Sequence, residues 1–114
     1  VAGDLYNSYT ITLPAENIID EYFPESKAYN WPNPVYGNET YIRYFVTEDS
    51  DVEVTILDAA GDYVTTLRGT GRGGFDNEIR WDVSDVPSGV YFARINVSSA
   101  GKTASKLIKI AIIK

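Results

Sequence analysis

The stretch Trp81–Val97, reading W-D-V-S-D-V-P-S-G-V-Y-F-A-R-I-N-V, restricts the fold more than any other part of this chain. Two strand-like segments, Glu78–Val83 and Gly89–Val97, flank a short loop holding Asp85, Pro87, Ser88 and Gly89. Pro87 fixes its own φ and has no N–H for a sheet ladder, so the chain must turn there. Gly89 is free to take a positive φ just before the second segment begins. That segment alternates, with Tyr91, Ala93, Ile95 and Val97 on one side and Phe92, Arg94 and Asn96 on the other. Such alternation describes a half-buried strand.

The same signals recur along the chain. Trp31-Pro32-Asn33-Pro34 is a stiff, extended element, because each Pro biases the residue before it away from helix. Gly37-Asn38 signals a turn. Thr40–Val46 then reads as a strand with Ile42, Tyr44 and Val46 on one face. Tyr41, Arg43 and Phe45 line the other, which is unusually apolar for a solvent face. Glu48-Asp49-Ser50 reads as an acidic turn, and Val52, Val54 and Ile56 line the next strand. Asp58–Asp62 turns the chain into a strand over Tyr63–Leu67. Turns 48–51 and 58–62 have lengths that suit hairpins between adjacent strands. Gly69–Asn77 reads as a glycine-rich loop, Ser98–Gly101 as a turn, and Thr103–Ile113 as a closing strand.

Residues 1–28 are less orderly. Tyr9–Leu13 predicts a short strand, Ala15–Tyr22 one or two helical turns at best, and Pro24-Glu25-Ser26 a break. The segment is expected to be a linker or N-terminal extension from a preceding domain, or an extra strand clasping the rest of the chain.

About seven strands at near-regular spacing, joined by Gly-, Asp- and Pro-rich turns, predict an all-β fold. The expected architecture is an antiparallel Ig-like or fibronectin III-like β-sandwich over residues 29–114. Gly89-Val90-Tyr91 fits the tyrosine corner of such sandwiches, where a phenol ties a late strand to the loop before it. A tyrosine that merely packs in the sheet fits the spacing equally well.

Composition narrows the function. The net charge is −6, from 16 acidic and 10 basic residues. That disfavours nucleic acid and anionic membranes, whose phosphates need clustered Lys and Arg. Without Cys there is no disulfide, thiolate nucleophile or Cys-type zinc site, and without His the commonest general base and metal ligand are missing. Met is absent too, even at position 1, which leads us to expect a piece of a longer protein. Val1–Leu5 lacks the regions of a signal peptide, so export would be directed by sequence upstream. Leu107–Ile113 is far short of the roughly 20 residues that span a bilayer, and Lys109 interrupts it, so no membrane insertion is expected.

Several motifs invite a functional reading. Gly69-Thr70-Gly71-Arg72-Gly73-Gly74 matches G-x-G-x-x-G, but Phe75–Trp81 comes next as turn and strand, where a dinucleotide site needs a helix. Glu48, Asp49 and Asp51 form the first candidate for Ca²⁺, which prefers oxygen ligands, although the spacing is not that of an EF-hand. Asp58 with Asp62, and Asp82 with Asp85, sit in two further acidic turns; Asp also caps turns through its own backbone. No pair of carboxylates stands out for glycoside hydrolysis, so no catalytic residue and no cofactor are assigned. Tyr29, Trp31, Tyr36 and Tyr41 form a candidate stacking surface for a sugar, or a cover over one end of the core. Asn38-Glu39-Thr40 and Asn96-Val97-Ser98 match the N-glycosylation sequon.

Taken in order, these motifs resemble the C-terminal sorting domains of the type IX (Por) secretion system, which are similar to the Ig-like domain of flagellar hook-capping proteins. Trp31-Pro32-Asn33-Pro34 and Thr40-Tyr41-Ile42-Arg43-Tyr44 resemble the family's Y-P-N-P opening and its T-x-I-R-Y. Val52–Val64 is similar to its V-x-V-x-(I/L)-Y-D-x-x-G-(R/K)-x-V, with Asp62 in place of the basic residue. Trp81–Tyr91 is similar to its W-(D/N)-x-S-x-L-x-x-G-x-Y, and Lys106–Lys114 to its closing K-x-x-x-x-K strand.

The resemblance implies a non-catalytic address on a larger secreted protein, carried through periplasm and outer membrane to the cell surface or the medium. The implied partners are the outer-membrane secretion machinery and a sortase-like peptidase that cuts within Ala15–Ala28. The strand bearing Lys106, Lys109 and Lys114 is then expected to be part of the surface that is read, its edge open to β-augmentation. Two other readings stay open: a carbohydrate-binding or adhesion module, and a ligand-free spacer beside an enzyme.

Overall fold

A computed structural model describes residues 22–24 and 27–114. The strand expected at Tyr9–Leu13, and the helical turns expected over Ala15–Tyr22 apart from Tyr22 itself, lie outside the described residues. Seven strands run in order: β1 (Tyr29–Trp31), β2 (Glu39–Val46), β3 (Ser50–Asp58), β4 (Tyr63–Gly71), β5 (Phe75–Asp82), β6 (Gly89–Ser99) and β7 (Lys102–Ile112). They make two antiparallel sheets, a three-stranded one in the order β1-β2-β5 and a four-stranded one in the order β4-β3-β6-β7. This is the expected all-β sandwich.

Alternation decides which side chains fill it. Ile42, Tyr44 and Val46 point inward from β2, Val52, Val54 and Ile56 from β3, and Tyr91, Ala93, Ile95 and Val97 from β6. Ile110 and Ile112 complete the layer from β7, and Trp81 and Val83 from β5 and the residue after it. Each such side chain contributes about 1.5–3 kcal/mol when withdrawn from water, which is what holds the sheets face to face. Phe23, ahead of β1, is also buried in this core, and the Thr47 N–H donates to the Tyr22 carbonyl at 3.1 Å.

The loop before β6 closes as the Gly-x-Tyr spacing suggested. The Tyr91 hydroxyl donates to the Pro87 carbonyl at 2.8 Å, across four residues. Its ring also meets Trp81 edge-to-face, with centroids 5.9 Å apart and planes at 78°. Tyr91 is therefore both a corner and a core residue.

Of the two expected hairpins, one needs correcting. The 58–62 turn is a hairpin between β3 and β4, with Asp58 Oδ1 accepting from the N–H groups of Ala60 and Asp62 at 2.9 Å. The 48–51 turn is not a hairpin, because β2 lies in one sheet and β3 in the other. Turn chemistry reverses a chain but does not choose its next partner. That choice is made by β6, which pairs with β3 from Asp51↔Ser98 to Asp58↔Tyr91.

The stretch expected as a glycine-rich loop is mostly strand, with β4 ending at Gly71 and β5 starting at Phe75. The end of β4 passes so close to the other sheet that a Cβ on either of its glycines would crowd it. A Cβ on Gly69 would lie 3.0 Å from Ile79, and one on Gly71 would lie 2.9 Å from Val46. Gly is a poor strand former, yet here it is the residue that allows the approach.

Beneath this crossing the buried Tyr44 hydroxyl donates to the Thr70 carbonyl at 2.8 Å. Burial pushes its phenol up from 10.0 to about 12. Because the folded pKa lies above the unfolded one, the contribution is intact below about pH 10 and is lost as pH rises towards 12. Urea midpoints measured across that window should fall, and Tyr44→Phe should flatten this part of the fall.

Candidate functional site

β7 is an edge strand, paired with β6 from Ser99↔Lys102 to Gly89↔Ile112. Its outer edge is not uniformly open. The Asn33 side chain donates to the Lys109 carbonyl at 3.2 Å and accepts from the Ala111 N–H at 3.1 Å, standing in for a peptide group of a neighbouring strand. Val35 continues the pairing: its N–H donates to the Ala111 carbonyl at 2.7 Å, and the Ile113 N–H donates to its carbonyl at 2.9 Å. Val35 is itself fully buried. Residues 33–35 thus form a strap over the last part of β7. Odd-numbered residues turn their backbone outward here, so by the same parity Thr103, Ser105 and Leu107 do so further up. Among the described residues no strand pairs with that half.

The strap is anchored by buried polar groups that sequence reasoning did not single out. Asn30 Nδ2 donates to Thr40 Oγ1 at 3.2 Å, and Thr40 Oγ1 donates to the Pro32 carbonyl at 2.9 Å. The available signal was a polar Thr40 at an inward position of an otherwise apolar strand face, with Asn30 two residues ahead of Pro32.

The three lysines of the expected recognition strand do not share a face. Lys106 lies on the inward side of β7, its ammonium 6.0 Å from the Phe23 ring centroid. Lys109 is exposed on the opposite side, in register with Phe92. Lys114 reaches back to the other sheet, donating to the Val83 carbonyl at 2.7 Å and the Ser84 carbonyl at 3.3 Å. A spacing of three on a strand places two side chains on opposite faces, which is why these separate.

The acidic turn before β3 is already engaged. Glu48 pairs with Lys102, and Asp49 Oδ1 accepts from the Gly73 N–H at 2.8 Å, while Asp51 is exposed. Among the described residues no group of three or more metal-ligating side chains is arranged around a common point. The carboxylates of Glu48 and Asp49 staple the 47–49 connection to its neighbours.

The aromatic residues do converge, with one exception. Tyr29 and Trp31 project from β1 on the outer face of the three-stranded sheet, in register with Arg43 and Tyr41 of β2. The next column, on β5, places Glu78 beside Arg43 and Arg80 beside Tyr41. Trp31 is 60% exposed and Tyr29 48%, and the Arg43 guanidinium lies 6.0 Å from the Trp31 ring centroid. Arg43 Nε pairs with Glu78 at 3.2 Å, and Arg80 pairs with Glu39. That bond to Arg80, seconded by the Tyr41 hydroxyl, holds the Glu39 carboxyl below its usual range. Tyr36 stands apart, exposed in the segment that crosses to the four-stranded sheet.

Fold and surface together define a small antiparallel β-sandwich domain in which Phe23, ahead of β1, and Ile110 and Ile112 of β7 share one core. The model of the secretion system C-terminal sorting domain matches residues 30–110, and the chain belongs to that family. Proteins carrying it are exported to the cell surface or the medium. No curated protein matches the chain. Among solved structures, the crystal structure of a Parabacteroides merdae β-glucuronidase is similar at 14% identity and a TM-score of 0.50, covering 88% of this chain and 14% of that enzyme. A second structure of the P. merdae enzyme, with glycerol in its active site, matches at 14% identity and a TM-score of 0.44, covering 81% and 13%. The chain spans about one seventh of that enzyme, and the likeness is one of fold.

Proposed function

We propose that this domain is a non-catalytic address that carries a larger, covalently attached protein through the outer-membrane type IX secretion machinery. The supporting observation is that the family match, residues 30–110, coincides with one folded sandwich that includes the strap and most of β7. The machinery then reads a folded surface, to which the uncovered half of the β7 edge, at Thr103, Ser105 and Leu107, and the exposed Lys109 side chain contribute. A sortase-like peptidase cuts ahead of Tyr22, within the linker 15–21. A cut between Tyr22 and Ala28 would have to unseat Phe23 from the core.

The test fuses residues 1–114 to an exported reporter in a bacterium with the type IX system. Reporter on the surface or in the medium, lost when the translocon is disabled, is the expected result. Retention in the periplasm with the domain folded would sink the proposal. Deleting β7 is a poor control, because Ile110 and Ile112 belong to the core and their loss unfolds the domain. Lys109→Glu, on an exposed side chain, changes the surface and leaves the core intact.

A further inference from the structure

Independently of sorting, we propose that the outer face of the three-stranded sheet binds a neutral, extended polysaccharide, with Trp31 and Tyr29 as stacking platforms. Tyr36, Tyr63 and Phe75 are also exposed, but Trp31 and Tyr29 share one strand face with Tyr41. Large rings that a core can use are withdrawn from water, as Trp81 is at 2%, whereas Trp31 and Tyr29 stay 60% and 48% exposed on one face. They are two residues apart on the edge strand β1, so their side chains emerge about 7 Å apart. Tyr41 extends the platform inward, directly across from Trp31.

The charges around the rings narrow the ligand class. Beside the rings Arg43 is matched by Glu78 and Arg80 by Glu39, while Asp82, which accepts from Ser84, and Asp76 stand further along the same face. The rings are thus flanked by hydrogen-bonding groups in fixed positions and by no unmatched guanidinium. A phosphate-bearing or uronic-acid ligand would need unmatched cations beside these rings. A neutral pyranose needs none. Its axial C–H groups form a flat apolar face that suits the negative face of an aromatic ring. Its rim of hydroxyls pairs with carboxylate and guanidinium groups that are already oriented. The Arg43 guanidinium beside Trp31 and the Tyr41 hydroxyl, which donates to Glu39 at 3.1 Å, hold these elements in place before a ligand arrives.

The molecule supplies its own probe. It has two tryptophans, and only Trp31 is accessible, so a ligand-dependent change in fluorescence reports on this face. The experiment titrates the whole chain with laminarin, hydroxyethylcellulose, galactomannan and arabinoxylan, with polygalacturonate and a proline-rich peptide as rivals. The expected result is a saturable blue shift with at least one neutral polymer, matched by slower migration in gels containing it. Trp31→Ala, judged by that retardation, and Tyr29→Ala should each weaken binding about tenfold, with near-ultraviolet dichroism confirming the fold. Lys109→Glu, on the other sheet, should leave it unchanged. No binding to any neutral polymer overturns the proposal, as does binding only to polygalacturonate or only to the peptide. Retardation that survives Trp31→Ala overturns it as well.

Discussion

Trp81→Ala is expected to destabilise the domain by about 3–5 kcal/mol, the largest effect of any single substitution in this core. A domain of this size has about 5–15 kcal/mol in hand, so the variant should lose much of its cooperative unfolding transition. Trp81 is 2% exposed and faces the interior from β5, in register with the buried Thr40. Its removal empties the space against Tyr91, whose hydroxyl holds the loop at Pro87. The cavity and the loosened corner therefore come together. Urea unfolding followed by far-ultraviolet dichroism measures the loss, and Trp31→Ala, on an exposed ring, should shift the midpoint far less. Equal effects at the two tryptophans would contradict the burial described for Trp81.

Gly73→Ala should cost about 1–3 kcal/mol through overpacking, a large change for one methyl group. A Cβ there would sit 2.7 Å from Glu48 Cα and 2.9 Å from the Glu48 carbonyl carbon and the Thr47 oxygen. All three are backbone atoms, so no side-chain rotation relieves the clash. The loop is also tied on both sides of the clash: the Gly73 N–H donates to Asp49 Oδ1 and the Gly74 N–H to the Val46 carbonyl, each at 2.8 Å. Gly37→Ala is the control, since a Cβ there meets nothing within 4 Å and surface changes of this kind fall within about 0.5 kcal/mol. The two variants, compared in one denaturation series, should differ clearly.

Much of the architecture was legible in the sequence, because alternation is a local property. Ile42, Tyr44 and Val46, then Val52, Val54 and Ile56, declare their inward faces without reference to any partner. The Gly-x-Tyr corner was legible for the same reason, since Tyr91 and Pro87 are four residues apart. What escaped depends on distant partners. β1 has three residues and runs into a proline, so only its pairing with β2 makes it a strand. The glycines at 69 and 71 advertise a loop by propensity, and only the nearby Ile79 and Val46 explain why they lie in a strand. Asn33 reads only as part of a stiff, extended element until Lys109 and Ala111 are placed beside it. The lysines of the last strand share a motif but not a face, and strand geometry alone separates Lys106 from Lys109. The stacking surface was legible in part: Tyr29, Trp31 and Tyr41 meet by register, whereas Tyr36 leaves with the crossing segment.

The strap also sets an order of events. Asn33 and Ala111 are 78 residues apart, yet each satisfies the other. Loop closure over such a distance must precede the contacts that reward it, which places this union among the slow, late steps of assembly. During synthesis Val35 emerges early and must wait for its ladder partners Ala111 and Ile113. A chain broken off before them keeps the anchor at Thr40 but lacks the ladder that seats Val35. The edge formed by strap and β7 is thus a record that the whole sandwich has been made.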